Sequence, residues 1–320
     1  MPEMLEGKKI VVLAGGVGGS RLVRGMAHHL EGRQLTVIVN TGDDFTHCGL
    51  HISPDIDTVL YHLAGLAHVE RGWGIQNDTF QCMDALKWLG GETWFNIGDR
   101  DLATHLLRTQ LLQRGHTLTE TTAYMARNLG IQHMVLPMSD DACRTMLDTD
   151  EGILEFQHYF VRHHWQPVIR RIFWQGAESA RPTAAVMQAL RSADLLVIAP
   201  SNPFVSVAPI LQLPGVKEAV TALPVIAMSP IIGGMAVKGP AAKMFRELLG
   251  KPASVEAVID YYDGLLDGLV MDEVDADLLP ALQTKVKHLA AMPTLMLTAQ
   301  KQIEIAGQFL QFAQTMLMYM

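Results

Sequence analysis

Cysteine is scarce: Cys48, Cys82 and Cys143 are the whole complement, far apart and in no CxxC spacing. That excludes a disulfide framework and a thiolate zinc site, and leaves free thiols in partly buried positions. Blocks of basic charge are also missing. The 25 Lys and Arg are scattered among 33 Asp and Glu, for a formal charge of −8, so no surface tracks a phosphate backbone and a DNA or RNA partner is not expected. No run reaches the roughly 18 apolar residues of a membrane span. Charge within Met1 to Lys9 stands where a signal peptide would carry its apolar region. The expectation is a cytoplasmic protein without a membrane partner.

What is present is ordinary globular material: 320 residues, 49% hydrophobic and 18% charged, enough to bury one large α/β core. No repeat, low-complexity tract or linker divides the chain, so residues 1–320 read as a single domain. Ile10 to Leu13 is a continuous apolar run, followed by a glycine-rich turn and by Leu22, Val23, Met26, Ala27 and Leu30 at helical spacing. Leu35 to Val39 is the next strand. This βαβ unit implies a mainly parallel sheet in a Rossmann-like, three-layer core.

The same rhythm predicts strands at Met134 to Leu136, Leu195 to Ala199 and Pro224 to Met228, each stopping at a polar or glycine-containing turn. Helices are expected at Asp57 to Ala67, Asp101 to Gln113 and Thr119 to Leu129, from Pro182 and Thr183 to Arg191, and from an N-cap at Ser254 to about Leu266. Ala299 to Met320 reads as a Met-rich amphipathic helix serving packing or a dimer interface. Residues 140–176, rich in His, Trp and Phe and without clean periodicity, are the candidate for a smaller inserted, α-rich lid subdomain.

Chemistry is expected where strands end, because ligands of open α/β sheets bind beyond the carboxyl ends of the strands. Gly15-Gly16-Val17-Gly18-Gly19-Ser20-Arg21 joins strand to helix and offers backbone N–H groups to an anion. It is not a Walker motif, and Arg21 stands where a dinucleotide fingerprint has its last glycine. Asn40-Thr41-Gly42-Asp43-Asp44 and Ser53-Pro54-Asp55-Ile56-Asp57 add four carboxylates, hard oxygen ligands suited to Mg²⁺. The alternative is that Asp55 or Asp57 caps a helix. Trp73 to Phe80 and Asn96 to Asp101 form a second polar cluster, in which Arg100 is a candidate phosphate grip held by its acidic neighbours. His105 is a weaker candidate. Ser201-Asn202-Pro203 and Ser229-Pro230 to Gly234 offer groups for a purine edge, a ribose or a phosphate, with Lys238 and Lys243 close behind.

In their order, AGGVGGSR, VNTGDDF, SPDIDTVLY, GWGIQNDTF, NIGDRDLATHLLR, LPMSDD, APSNPFVSVAPIL and SPIIGG resemble the 2-phospho-L-lactate transferase family of deazaflavin coenzyme F-420 synthesis, over residues 10 to about 240. The resemblance implies a homodimeric, Mg²⁺-dependent transferase. Such an enzyme moves 2-phospho-L-lactate, phosphoenolpyruvate or 3-phosphoglycerate from its GMP-diphosphate conjugate to the ribityl 5′-hydroxyl of the deazaflavin alcohol Fo, releasing GMP. By position, Asp43 resembles the family's metal-binding aspartate, and Asp57 the carboxylate beside metal and deazaflavin. Gly15, Gly16, Gly18, Gly19, Ser201, Asn202, Ser229 and Gly233 then fall on the guanosine diphosphate side. Asn96 stands where relatives often carry a basic residue at the deazaflavin.

Two alternatives stand beside it, the second from another class. One is a paralogue of the same fold that binds a different nucleotide or sugar-nucleotide; the other is a regulatory nucleotide-binding protein without turnover. The intact Asp57, NDTF and GDRD motifs favour the transferase, as do Trp73, Phe80 and Trp94, which suit a flat ring acceptor.

Overall fold

The computed structural model describes residues 5–237 and 239–320; Met1 to Met4 and Lys238 lie outside the described residues. Seven parallel strands form the main sheet and are numbered here among themselves: β1 (Ile10–Ala14), β2 (Leu35–Val39), β3 (Met134–Pro137), β4 (Leu195–Ile198), β5 (Val225–Met228), β6 (Gly268–Asp272) and β7 (His288–Met292). Their order across the sheet is β7-β6-β5-β4-β1-β2-β3. All are parallel to their neighbours, so the chain is Rossmann-like α/β, as expected.

Alternation along β1 sends Val11 and Leu13 to one apolar core and Ile10, Val12 and Ala14 to the other. β4 does the same, with Leu196 and Ile198 opposite Leu195 and Val197. Burial on both faces is why these strands read as unbroken apolar runs. Ile10 pairs with Leu35 on one side and Leu195 on the other. The connection order therefore reverses between β1 and β4, the place where such sheets open a crevice.

Four helices concern the site: α1 (Gly16–His29), α2 (Pro54–Leu63), α3 (Gln81–Trp88) and α4 (Asp99–Gln113). The helix Leu118–Asn128 starts on a full capping box, Thr117 with Glu120. Thr183 and Ser254 cap their helices as expected. α2 stops at Leu63, short of Ala67, and the Ser254 helix stops at Tyr262, short of Leu266, because left-handed residues follow each. β6, β7, α3 and the hairpin of Phe45–His47 with Leu50–Ile52 went unread in the sequence.

One expectation is corrected. Residues 140–176 are not α-rich: Arg144–Thr149, Gly152–Glu155 and Ile169–Gln175 form a three-stranded antiparallel sheet, broken by one π-helical turn at His158–Arg162. Thr145, Leu147 and Thr149 face inward between more exposed neighbours. Buried threonines hid that period-2 pattern.

The long helix Ala299–Met318 buries Ile305, Ala306, Phe309, Leu310, Ala313 and Met316 in the core shared with α1. Contact is closest at Gly25, where a Cβ would run into the Gln302 carbonyl and stand 2.7 Å from Ala306 Cβ. Gly25→Ala is therefore expected to destabilise the fold by ~1–3 kcal/mol through overpacking. Urea unfolding checks this, and an unchanged midpoint would show that the helix pair separates freely.

Candidate active site

The turn after β1 is held by groups that come from far along the chain. Gly15 N–H donates to Ser201 Oγ at 3.1 Å, and that hydroxyl donates to Gly15 O at 2.8 Å. This two-way contact fastens the ends of β1 and β4 where the sheet order reverses. Gly18 and Gly19 are required by the same approach: a Cβ on Gly18 would strike the Pro200 carbonyl, and one on Gly19 the Ser201 hydroxyl. Their bareness serves strand-to-helix packing first.

Gly16 N–H, the first of α1, donates to Asp55 Oδ1 at 2.7 Å. Asp55 Oδ2 accepts from Asn40 Nδ2 at 2.9 Å, and Asn40 Oδ1 accepts from Gly42 N–H at 2.8 Å. The Asp55 carboxyl thus joins the first turns of α1 and α2 to the end of β2. Burial raises its pKa to about 6 against those hydrogen bonds, with the charge of Asp44 adding to the rise. Asp43 lies next to it, 5% exposed. Burial, then the charges of Asp55 and Asp44, push Asp43 well above the usual carboxylate range, with Asn40 opposing. Asp43 Oδ1 is buried without a hydrogen-bond partner. Asp44 turns away, accepting from Ser53 Oγ at 2.7 Å and facing His51 Nε2 at 3.1 Å.

Two buried carboxylates, both driven towards protonation and one with an open oxygen, lack positive charge. The donor set is hard oxygen and fits Mg²⁺, which takes one or two carboxylates and completes its shell with water and phosphate. Among the described residues no cluster of three or more His, Cys, Asp or Glu is arranged as a metal cage.

Asp57 is placed elsewhere. Both of its oxygens are held by Arg108, one at 3.1 Å, and His105 Nδ1 lies 3.6 Å from Oδ2. Asp57 and Arg108 are 4% and 0% exposed. His105 Nε2 lies 3.5 Å from Asp101 Oδ1, which also accepts from Tyr61 OH at 2.6 Å. Burial opposes ionisation of Asp101, yet His105, Tyr61 and Arg108 together hold it below the usual range. Positions two apart on a helix point to different sides, so Asp55 meets the strand ends while Asp57 meets α4. The expected pairing of Asp43 with Asp57 is thus replaced by Asp43 with Asp55.

A cavity of about 530 Å³ opens over these strand ends. Gly15, Gly16, Gly18, Asp43, Asp55, Asp101, Asn96, Ser201, Asn202 and Ser229 line it, as do Arg21, Trp73, Trp94 and Phe95. The inserted antiparallel unit adds Phe156 and Phe160, and the segment after β7 adds Thr294 to Met296. Trp94 is wedged between Phe45, His47 and Phe95 and packs against His158 of the inserted unit, with ring centroids 4.5 Å apart and the planes tilted by 36°.

Several expected groups are used structurally. Ser229 Oγ is bonded within its own turn to Ile231. Asn202 Oδ1 caps Phe204 N–H. Gly233 sits exposed at a hairpin tip, its N–H on Asp275, away from the cavity wall. Arg100 is likewise corrected: it is exposed, donates to the Gln76 carbonyl at 3.1 Å and does not line the cavity. The acids expected to hold it are engaged in helix capping, Asp78 on the N–H groups of Arg100 and Asp101, and Asp99 on those of Gln81 and Cys82. Arg108 was missed, although Asp101, His105 and Arg108 share one helical face of α4 and that spacing was legible. Cys48 and Cys82 are exposed free thiols, more open than expected, and Cys143 is buried.

Known proteins match this chain along most of its length. A family model described as 2-phospho-L-lactate transferase CofD covers residues 10–306. A phosphoenolpyruvate transferase of Streptomyces griseus subsp. griseus is 39% identical over 314 residues, 96% of this chain and 98% of that protein. A 2-phospho-L-lactate transferase of Methanosarcina mazei is 37% identical over 297 residues, 93% and 98% of the two chains. The crystal structure of a UPF0052 family member from Bacillus halodurans superposes with a TM-score of 0.60 over 95% of this chain and 98% of that one. At 18% identity, that last likeness concerns the fold alone.

Removing one partner of a buried ion pair strands the other charge. Asp57→Asn is expected to cost ~3–5 kcal/mol of folding stability by leaving Arg108 unpaired, whereas Asp57→Leu with Arg108→Met costs less than either single change. A double-mutant cycle in urea measures this. Equal and additive losses would mean that the pair is not coupled.

Proposed function

The chain belongs to the 2-phospho-L-lactate transferase family, and from that premise we propose that it transfers a phospho-acid group from a GMP-diphosphate conjugate to the ribityl 5′-hydroxyl of Fo. The hydroxyl oxygen bonds to the phosphorus of the phospho-acid and gives up its proton to solvent, the bridge to GMP breaks, and GMP leaves with the bridging oxygen. The observation that carries this reading is one cavity lined both by buried carboxylates at the strand ends and by the aromatic side chains Trp73, Trp94 and Phe95. Phosphoryl transfer asks for positioning and charge neutralisation more than for covalent help from the protein.

Asp43 would hold Mg²⁺ with Asp55 beside it, and the bound ion would supply neutralising charge to the donor phosphates. Trp73, Trp94 and Phe95 offer faces on which a deazaflavin ring can lie. Asn96 lines the same wall and can hydrogen-bond a ring substituent without adding charge. Asp101, kept ionised by Tyr61 and His105, is an acceptor for ribityl hydroxyls. The inserted unit covers the aromatic side through Phe156 and Phe160 and limits water there.

The test is incubation of the purified protein with Fo, Mg²⁺ and each guanylylated donor in turn, following product mass and GMP release against a metal-free control. Product from the phosphoenolpyruvate or phospholactate donor is expected; no product from any donor would sink the reading. Asp43→Asn is expected to lower turnover by ~100-fold or more. It should leave unfolding unchanged or shifted upward, since the substitution removes a carboxylate that repels its neighbours.

A further inference from the structure

Arg21 is the anomaly of the cavity. It is 4% exposed. Among the described residues, its side chain makes one hydrogen bond, from a terminal guanidinium nitrogen to the Val69 carbonyl at 3.2 Å, and its buried Nε has no partner. Among the described residues it makes no ion pair and is the one lysine or arginine lining the cavity. A buried guanidinium without a carboxylate partner is costly, and an anionic ligand would offset that cost.

The surroundings say where that charge would sit. Arg21 lies in the second turn of α1, whose first turn carries no acidic residue, beside the N-terminal backbone amides of Val17 and Gly18 that share the cavity wall. Helix N-terminus and guanidinium favour the same sign of charge. Gly72 abuts the guanidinium, since a Cβ on it would lie 3.3 Å from Arg21 Nη2, and it leads into Trp73, which also lines the cavity. Arg21 thus shares the cavity with both the α1 turn and the aromatic residues.

We propose that Arg21 is the anion receptor of the site, pairing with an oxyanion of the donor, either of its diphosphate or of the carboxylate of its acid. The assignment rests on the donor chemistry proposed above. Its fork replaces Arg100 as the cationic grip, and its Nε, buried without a hydrogen-bond partner among the described residues, is a donor still to be satisfied.

The test is calorimetric titration of the full chain with GDP and with pyrophosphate in Mg²⁺, for wild type, Arg21→Met and Arg21→Lys, alongside thermal unfolding without ligand. Loss of a charge-assisted pair weakens binding by about 10- to 100-fold in Arg21→Met, with partial recovery in Arg21→Lys. The ligand-free Arg21→Met protein is expected to unfold at the same or a higher temperature, because a buried unpaired charge has gone. A residue that only fastened the loop of residues 66–73 would give the opposite shift. Unchanged GDP affinity with a raised donor KM assigns the contact to the acid carboxylate. Unchanged GDP affinity with no donor KM raised overturns the proposal, as does wild-type protein that binds neither GDP nor pyrophosphate. Wild type that binds GDP but turns over no donor removes the transferase reading and leaves Arg21 to be judged on affinity alone.

Discussion

The Asp55 carboxylate is the contact on which the rest of the site depends. One oxygen takes the first N–H of α1 and the other takes the Asn40 amide at the end of β2. A buried carboxylate with two good donors is held in one orientation, and it fixes the entry angle of α1 and the start of α2 together. The acidic floor of the cavity follows from it. Asp43 is brought beside Asp55 by the Asn40–Gly42 turn, and burial together with their mutual repulsion pushes both carboxyls towards protonation. The Mg²⁺ proposed for the site would offset that repulsion.

Two aspartates two positions apart in α2 have been given opposite work. Asp55 faces strand ends and cavity; Asp57 faces α4 and is neutralised by Arg108. The Asp57–Arg108 pair continues through His105 to Asp101 and Tyr61. This line of buried polar groups runs from the packing between α2 and α4 to the cavity wall, where Asp101 emerges. Stability and ligand contact share one network, so a change at Asp57 is felt as lost folding free energy before it is felt at the substrate.

The aromatic side of the cavity is assembled from three segments that no local pattern connects. Trp73 comes from the loop after α2, Trp94 and Phe95 from the loop before α4, and Phe156 and Phe160 from the inserted antiparallel unit. The contact of Trp94 with His158 joins the last two. The insertion thus forms part of the cavity wall, packed onto the parallel core rather than standing as a separate body.

By itself the sequence determined the βαβ rhythm, the Rossmann-like class, the family and the identity of the strand-end turns. These are properties of short windows: doubly buried strands read as apolar runs, and turns announce themselves by glycine, proline and paired carboxylates. Asp43 and the glycine turn were legible in that way. Only the tertiary structure decided which carboxylate of Ser-Pro-Asp-Ile-Asp enters the cavity, because the choice depends on how α2 is rotated against β2 and α4. It also decided that Arg21, not Arg100, lines the cavity, since burial of a side chain is set by what packs over it from elsewhere in the chain. The antiparallel insertion and the strands β6 and β7 belong to the same class, their pairing being made with partners distant in sequence and their inward faces partly polar.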